Sequence, residues 1–349
     1  MAPNSQMPAS WGSSMRYLDS NAYRKDIITA IEHTKNFENF FNKKVLVLGA
    51  TGLIGSFITD CFLYADENAD AGITVYAVSR SKKQLRDRFG TGYENYLNLI
   101  EADVTAMDIK EPFDYIIHAA GYGHPRAFRE MPAEVMLSNV IGTQKALEAA
   151  RLHTACRMLY VSSGEAQEEM DHLSARACYP MGKRAAETLC ICYQKEYDTN
   201  VIIARPCHTF GANVTGNDNR ATAQFIASAA EGRDIEMYSA GEQVRSFSYV
   251  ADCASGLLTA LSRGMPGAVY GISSGEVCTV RAFADRCAAI GKCRVGLHAP
   301  THDEKSEASP IKGQIVSNNA LMGLGWSPAF SIGDGIGHAI GIIREMNGV

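Results

Sequence analysis

The sequence predicts an α/β fold: a doubly wound parallel sheet of about seven strands, with a smaller C-terminal lobe. Three observations carry this expectation. Short continuous apolar runs alternate with longer amphipathic segments up to Arg205, the pattern of strands buried on both faces and crossover helices. The first run, Lys44-Val45-Leu46-Val47-Leu48, leads straight into Gly49-Ala50-Thr51-Gly52-Leu53-Ile54-Gly55 and an apolar helical segment. From Pro206 onward the pattern shifts to short strands and short helices. A chain of 349 residues can bury a core of this size.

In chain order, residues 1–42 form an N-terminal extension. Its first 14 residues are polar and expected to fray, whereas Ile27, Ile28, Ile31, Phe37 and Phe41 predict a helix over 26–41 that packs on the domain. Residues 43–205 are the expected dinucleotide-binding domain, its sheet shared with later segments. It contains strands at 44–48, 73–78, 99–104, 115–121, 157–161 and 201–204, with helices over 54–64, 133–152 and 179–197. Residues 206–349 are mostly the second lobe. Segment 205–211 reads as a loop, 280–291 as a helix, 298–312 as a polar, breaker-rich loop, and the last helix begins near Ile332.

Composition narrows the function. A net charge of −5 and the lack of a basic run argue against a nucleic acid partner or an anionic membrane surface. No apolar run reaches the roughly 18 residues a membrane span requires, and the N-terminus lacks a secretory plan, so a cytoplasmic protein is expected. The ten cysteines lie in apolar segments without Cys-x-x-Cys and read as free thiols. The nine histidines show no metal spacing, and no metal is expected.

The candidate chemistry sits at strand ends, where open α/β sheets bind ligands. Gly49, Gly52 and Gly55 permit a tight turn that brings backbone N–H groups, and a helix N-terminus, against a pyrophosphate; Thr51, Leu53 and Ile54 share that turn. After the second strand the chain reads Ser79-Arg80-Ser81, without the carboxylate that binds an NAD ribose. Arg80 there suits the 2′-phosphate of NADP, or else stacks on adenine or faces solvent. Asp103 reads, on its own stretch, as a cap for the following turn. Ala119, Ala120 and Gly121 let a cofactor pass close to the backbone, and His118 reads as structural. Tyr179 and Lys183, four apart, fall on one helical face, where an ammonium favours a phenolate.

Gly-x-x-Gly-x-x-Gly, His118-Ala119-Ala120-Gly121, Ser163 and Tyr179-x-x-x-Lys183 together resemble the extended short-chain dehydrogenases/reductases that act on nucleotide sugars, a Rossmann-fold family. The resemblance covers about residues 43–345 and implies that the smaller C-terminal lobe is the substrate-binding lobe, holding a nucleotide sugar. The text Arg176-Ala-Cys-Tyr-Pro-Met-Gly-Lys-Arg184 and Arg245-Ser-Phe-Ser-Tyr-Val-Ala-Asp252 is most similar to UDP-glucuronate decarboxylases. The resemblance implies NAD(P) as cofactor, NAD by likeness to relatives and NADP left open by Arg80. It also implies contacts to that cofactor from Asp103, Val104 and Pro206 besides the glycine turn.

By the same resemblance Tyr179 takes a proton from the sugar C4 hydroxyl while hydride leaves C4. Ser163 shares that hydrogen bond, and Lys183 holds Tyr179 as phenolate. Glu165 aligns with a glutamate of decarboxylases and 4,6-dehydratases. Gly164 departs from the aspartate with which dehydratases protonate the leaving hydroxyl, and Gln167 departs from a usual tyrosine. His208, Arg220 and Arg245 are expected to hold the diphosphate of a UDP-sugar. The expected reaction is decarboxylation, with 4,6-dehydration second, 4-epimerisation third and a non-catalytic NAD(P) sensor a remote fourth. A homodimer is implied through the helices over 133–152 and 179–197.

Overall fold

The apolar runs form one parallel sheet in the computed structural model, which describes residues 16–90, 95–214, 218–299, 311 and 313–348. Its strands are β1 (Lys44–Leu48), β2 (Thr74–Ser79), β3 (Leu97–Glu101), β4 (Tyr115–His118), β5 (Arg157–Val161) and β6 (Asn200–Pro206). Next come β7 (His208–Phe210), β8 (Ile235–Met237), β9 (Val244–Tyr249) and β10 (Val269–Ile272), the last of which returns to the main sheet. The order β10-β6-β5-β4-β1-β2-β3 reverses its direction of growth between β1 and β4. That reversal opens a crevice at the carboxyl ends of the strands, where a ligand fits.

Helices cover both faces. In order they are α1 (Asn21–His33), α2 (Leu53–Ala69), α3 (Lys82–Phe89), α4 (Pro125–Glu130), α5 (Pro132–Arg151), α6 (Cys178–Tyr197), α7 (Ala221–Ala230), α8 (Val250–Arg263) and α9 (Val280–Gly291), followed by a C-terminal helix, Ile332–Asn347. On one face α5 and α6 pack together over Leu46, Leu48, Ile116, Met158 and Tyr160. On the other, α1, α2 and α8 cover Val45, Val47 and Ile117. Alternate residues of each strand therefore enter opposite cores.

The smaller sheet is built on β9. It pairs with β7, with β11 (Val277–Thr279) and with β13 (Gly313–Gln314), while β12 (Val295–Leu297) pairs with β8. The segment expected to be a loop at 205–211 is thus strand: β6 runs to Pro206 and β7 adds in parallel to β9. Pairing partners from β9 and β10, remote in sequence, supply the hydrogen bonds that local propensity could not foretell.

The N-terminal helix begins earlier than its apolar spacing suggests, because Ser20 Oγ accepts from Tyr23 N at 3.1 Å and caps it. It ends at Thr34, and Asn36 turns the chain with φ 58° into a short 3-10 turn, Phe37–Phe40. The segment is built into the fold. Asp26 is fully buried and accepts from Tyr249 Oη at 2.5 Å, with His338 Nδ1 at 2.6 Å, while Ser20 Oγ donates to Glu345 at 2.8 Å.

The helix expected over 54–64 continues to Ala69, ending where Asp70 adopts φ 48°. All ten cysteines are free thiols. The expected frayed stretch and nearly all of the expected loop at 298–312 lie outside the described residues. Among the described residues no helix is long and apolar enough to cross a membrane.

Candidate active site

The glycine turn closes β1 onto α2. Gly49 has φ +83°, and a Cβ there would meet Ala120 N and Cα at 2.7 Å; at Gly55 it would meet Gly49 O at 2.3 Å. Only glycine allows the turn to lie this close to the end of β4. Gly52 precedes α2 and offers no side-chain cap, so the first-turn N–H groups of a 17-residue helix face the crevice. Thr51 Oγ1 and Ser79 Oγ lie 3.1 Å apart across the β1–β2 edge, beside the start of that helix.

Arg80, just past β2, is not solvated freely. Its guanidinium lies 4.7 Å from the ring centroid of Tyr122 and donates to the Tyr122 hydroxyl, which donates to Glu134 at 3.0 Å. Tyr122, absent from the expected set, bridges the two sides of the crevice. A lone aromatic after a strand end carries no signal of that in sequence. Asp103 accepts from Thr105 N at 2.8 Å and Thr105 Oγ1 at 2.7 Å, so its carboxylate caps its own turn and is held below the usual range chiefly by those bonds. Val104 packs against α5 at Gly142, and Pro206 ends β6 beside Ile272.

The strand end of β5 and the first turns of α6 bring the chemical groups together. Ser163 Oγ caps the short turn Gly164–Gln167 by accepting from Glu165 N at 3.1 Å, and its hydroxyl lies near enough to Tyr179 to favour the ionised phenol. The Tyr179 ring stacks on Phe128, centroids 4.6 Å apart at 25°. Lys183 is 5% exposed, and its Nζ donates to Val161 O at 2.8 Å while lying 5.0 Å from the Tyr160 ring and 5.9 Å from that of Tyr179.

The electrostatics correct the expectation of a resting phenolate. Burial pushes Tyr179 up to about 12, helped by the Glu165 charge and opposed by Ser163, Arg220 and Arg176. Burial also drops Lys183 to about 8 against the pull of Glu187. The physical reason is distance and partner: the ammonium, 5.9 Å from the centre of the Tyr179 ring, is spent on the Val161 carbonyl, and burial disfavours the charged form of both groups. In the protein alone, Tyr179 is a neutral phenol at pH 7.

Glu165 is not a lone base. Arg176 Nη2 donates to it at 2.9 Å while that guanidinium lies 4.7 Å from the Phe128 ring. Arg176 and Phe128 were not among the expected site residues; Arg176 stood in the quoted text, and its partner could not be read from spacing. Behind the site, Ser162 Oγ donates to Glu187 at 2.5 Å and Arg205 forks onto the same carboxylate at 2.9 and 2.7 Å, locking α6 to β5 and β6.

The three residues expected for the diphosphate lie on the lobe side. Arg220 forks onto Asp218, with Nε at 2.9 and 3.0 Å from its two oxygens and Nη1 on Thr209 O at 3.2 Å. Arg245 is buried and donates to Val244 O at 2.9 Å and to Ile311 O. His208 packs edge-on to Phe247, centroids 5.9 Å apart, and burial with both arginine charges pushes it down to about 3, so it is neutral. Its Nδ1 is buried without a hydrogen-bond partner. His118, at the floor of the crevice, is fully buried with both ring nitrogens unpartnered and is pushed to about 3 by burial and then by Lys183.

Comparison with known proteins points one way. A family model described as the NAD dependent epimerase/dehydratase family matches residues 45–273. UDP-glucuronic acid decarboxylase 1 of Danio rerio is 28% identical over 315 residues, covering 85% of this chain and 72% of its own length. UDP-glucuronic acid decarboxylase 6 of Arabidopsis thaliana is 28% identical over 319 residues, covering 88% and 90%. In fold the chain is similar to the Bordetella bronchiseptica enzyme WbmF in complex with NAD+ and UDP, at TM-score 0.72 and 22% identity over 89% of this chain and 94% of that one. It is also similar to epimerase Mth375 of Methanothermobacter thermautotrophicus, at TM-score 0.75 and 22% identity over 91% and 96%.

Proposed function

The chain belongs to the NAD dependent epimerase/dehydratase family, and from that premise we propose that it decarboxylates a nucleotide-linked hexuronate, UDP-glucuronate being the first candidate. The observation that carries this reading is the convergence of Ser163, which caps the turn after β5, with Tyr179 and Lys183, whose ammonium lies 5.9 Å from the Tyr179 ring, at the carboxyl ends of the strands.

The residues present fit a dinucleotide. The cradle at Gly49 and Gly55 would be filled by any Cβ, and the first turn of α2 has no side-chain cap. The Oδ1 of Asn139 is buried without a partner 3.5 Å from where a Cβ on Gly121 would lie, with Lys183 Nζ at 3.9 Å from the same point. Gly49, Thr51, Gly52, Leu53, Ile54 and Gly55 would hold the pyrophosphate side, Arg80, Asp103 and Val104 the adenosine side, and Ala119, Ala120, Gly121, Lys183 and Pro206 the nicotinamide side. When bound, NAD supplies the hydride acceptor and donor for the sugar carbon.

The chain's own groups handle the protons. Tyr179 Oη takes the proton of the C4 hydroxyl, and Ser163 Oγ keeps both oxygens in line. Lys183 stabilises the negative charge that develops on Tyr179 once a ligand covers the site and excludes water. A carboxylate β to the resulting ketone leaves as CO2, its bonding electrons pass into the C4–C5 enolate, C5 takes a proton from water, and Gly164 offers no acid of its own. His208, Arg220 and Arg245 face the diphosphate, with the neutral ring of His208 between two cations.

One observation keeps dehydration as a second reading: Glu165 sits on the turn that Ser163 caps, its N–H bonded to Ser163 Oγ at 3.1 Å. The exposed apolar residues Leu137 on α5 and Ile191 on α6 are the surface for a second copy of the chain. Mass analysis after incubating the NAD-loaded protein with UDP-glucuronate, UDP-glucose and dTDP-glucose tests the proposal. Loss of CO2 from UDP-glucuronate is expected. Loss of water from a hexose, or isomerisation without mass change, would replace this reading with dehydration or epimerisation.

A further inference from the structure

A side chain at position 164 has no room. A Cβ there would lie 2.6 Å from Val316 Cγ2, and 3.4 and 3.6 Å from Cδ and Nε2 of Gln314. The segment bearing both residues is docked on the turn that follows Ser163. Gln167 Nε2 donates to Ile315 O at 2.9 Å, and Val316 N donates to Ser246 Oγ at 3.1 Å. β13 pairs with β9 so that Gln314 stands abreast of Arg245. Residues in register on neighbouring strands project to the same face, which puts this amide and that guanidinium side by side. Gln314 Nε2 thereby lies against Gly164, between Ser163 and Glu165 in the chain.

Gln314 is only 3% exposed, yet its Nε2 is buried and has no hydrogen-bond partner among the described residues. A buried donor left unsatisfied is costly, and a glutamine that merely fills space gains nothing from its polar end. The free donor lies beside the turn where family members of the dehydrating type carry an acid and this chain carries a glycine.

We propose that Gln314 is a substrate-binding residue that decides specificity: its Nε2 donates to an oxygen on the C5–C6 side of the nucleotide-linked sugar, the C6 carboxylate in a hexuronate. A neutral donor suits that place, since it binds the carboxylate without adding charge to the Arg176–Glu165 pair. The inference rests on the nucleotide-sugar reading above and names a contact that the motifs of the first two hundred residues do not contain.

The test uses the NAD-loaded full chain as wild type, Gln314→Leu and Gln314→Glu. Each is titrated calorimetrically with UDP, UDP-glucose and UDP-glucuronate, and turnover is followed by CO2 release. Gln314→Leu keeps the volume and removes the donor, so UDP-glucuronate binding should weaken about tenfold or more, with KM rising in step. Affinity for UDP, which lacks the sugar, should stay within about twofold and shows that the lobe is folded. Gln314→Glu sets a second carboxylate beside Glu165 and should weaken UDP-glucuronate more than UDP-glucose.

If Gln314→Leu binds UDP-glucuronate as wild type does, or loses UDP equally, the contact does not exist. Should wild type turn over UDP-glucuronate in that case, only the role of Gln314 falls. A wild-type protein that binds no UDP-sugar at all removes the proposed function and this inference together.

Discussion

Lys183→Met should make the cofactor-free protein more stable at neutral pH while abolishing turnover. The ammonium is 5% exposed, and burial lowers it from 10.5 to about 8. At about 1.36 kcal/mol per pH unit, keeping it charged in the fold costs about 3 kcal/mol relative to the unfolded chain. The sign follows from proton counts. Below about pH 8 both states hold the proton, and the full cost is present. Between about 8 and 10.5 the unfolded chain keeps a proton that the folded one has shed, so wild-type stability rises with pH through that window.

Methionine matches the length of lysine without the charge. It forfeits the charged hydrogen bond to the buried Val161 O, at about 2 kcal/mol, which leaves a net gain of about 1 kcal/mol at pH 7. Urea unfolding of both proteins at pH 7 and again near pH 10, at constant m, reads the difference. The advantage should be present at the lower pH and fade at the higher. A variant less stable than wild type at pH 7, or a difference that does not move with pH, would refute the assignment of Lys183 as a buried, strained cation.

Tyr179→Phe should lower turnover about a thousandfold with NAD affinity unchanged, as read by progress curves and calorimetry; a rate near wild type would end its role as proton acceptor. An ultraviolet difference titration of wild type against Tyr179→Phe, without cofactor, should place that phenol at about 12, and ionisation below its ordinary 10 would contradict the burial argument. Arg80→Ala should reduce NADP affinity more than NAD affinity if the guanidinium can leave Tyr122 for a 2′-phosphate, whereas equal losses would assign it to Tyr122 and Glu134 alone. Light scattering should give a dimer for wild type and a monomer for Leu137→Glu, since Leu137 is 52% exposed on α5; a wild-type monomer would reject that surface.

Local text was enough for β1, the glycine turn and the Tyr179-x-x-x-Lys183 face, because each depends on spacing within one or two turns of chain. A continuous apolar run followed by glycines can be little else, and four residues on a helix must stack. The strands within 205–211 escape local reading for the opposite reason: β6 and β7 exist because of partners more than thirty residues away, and a strand's hydrogen bonds are not written in its own sequence. The N-terminal segment, read as an extension, is tied to the C-terminal helix by Asp26 with His338 and by Ser20 with Glu345.

What the sequence by itself determined is therefore the family of chemistry: which residues can bind a dinucleotide and which can pass a proton. Only the tertiary structure decided their charge states and neighbours. Burial leaves Tyr179 neutral and Lys183 strained, Arg176 comes to rest on Glu165, and Gln314 arrives from the C-terminal strand to stand at Gly164. The physical reason is that ionisation and hydrogen bonding depend on who is excluded from water with whom, and that is a property of the packed chain, not of its order.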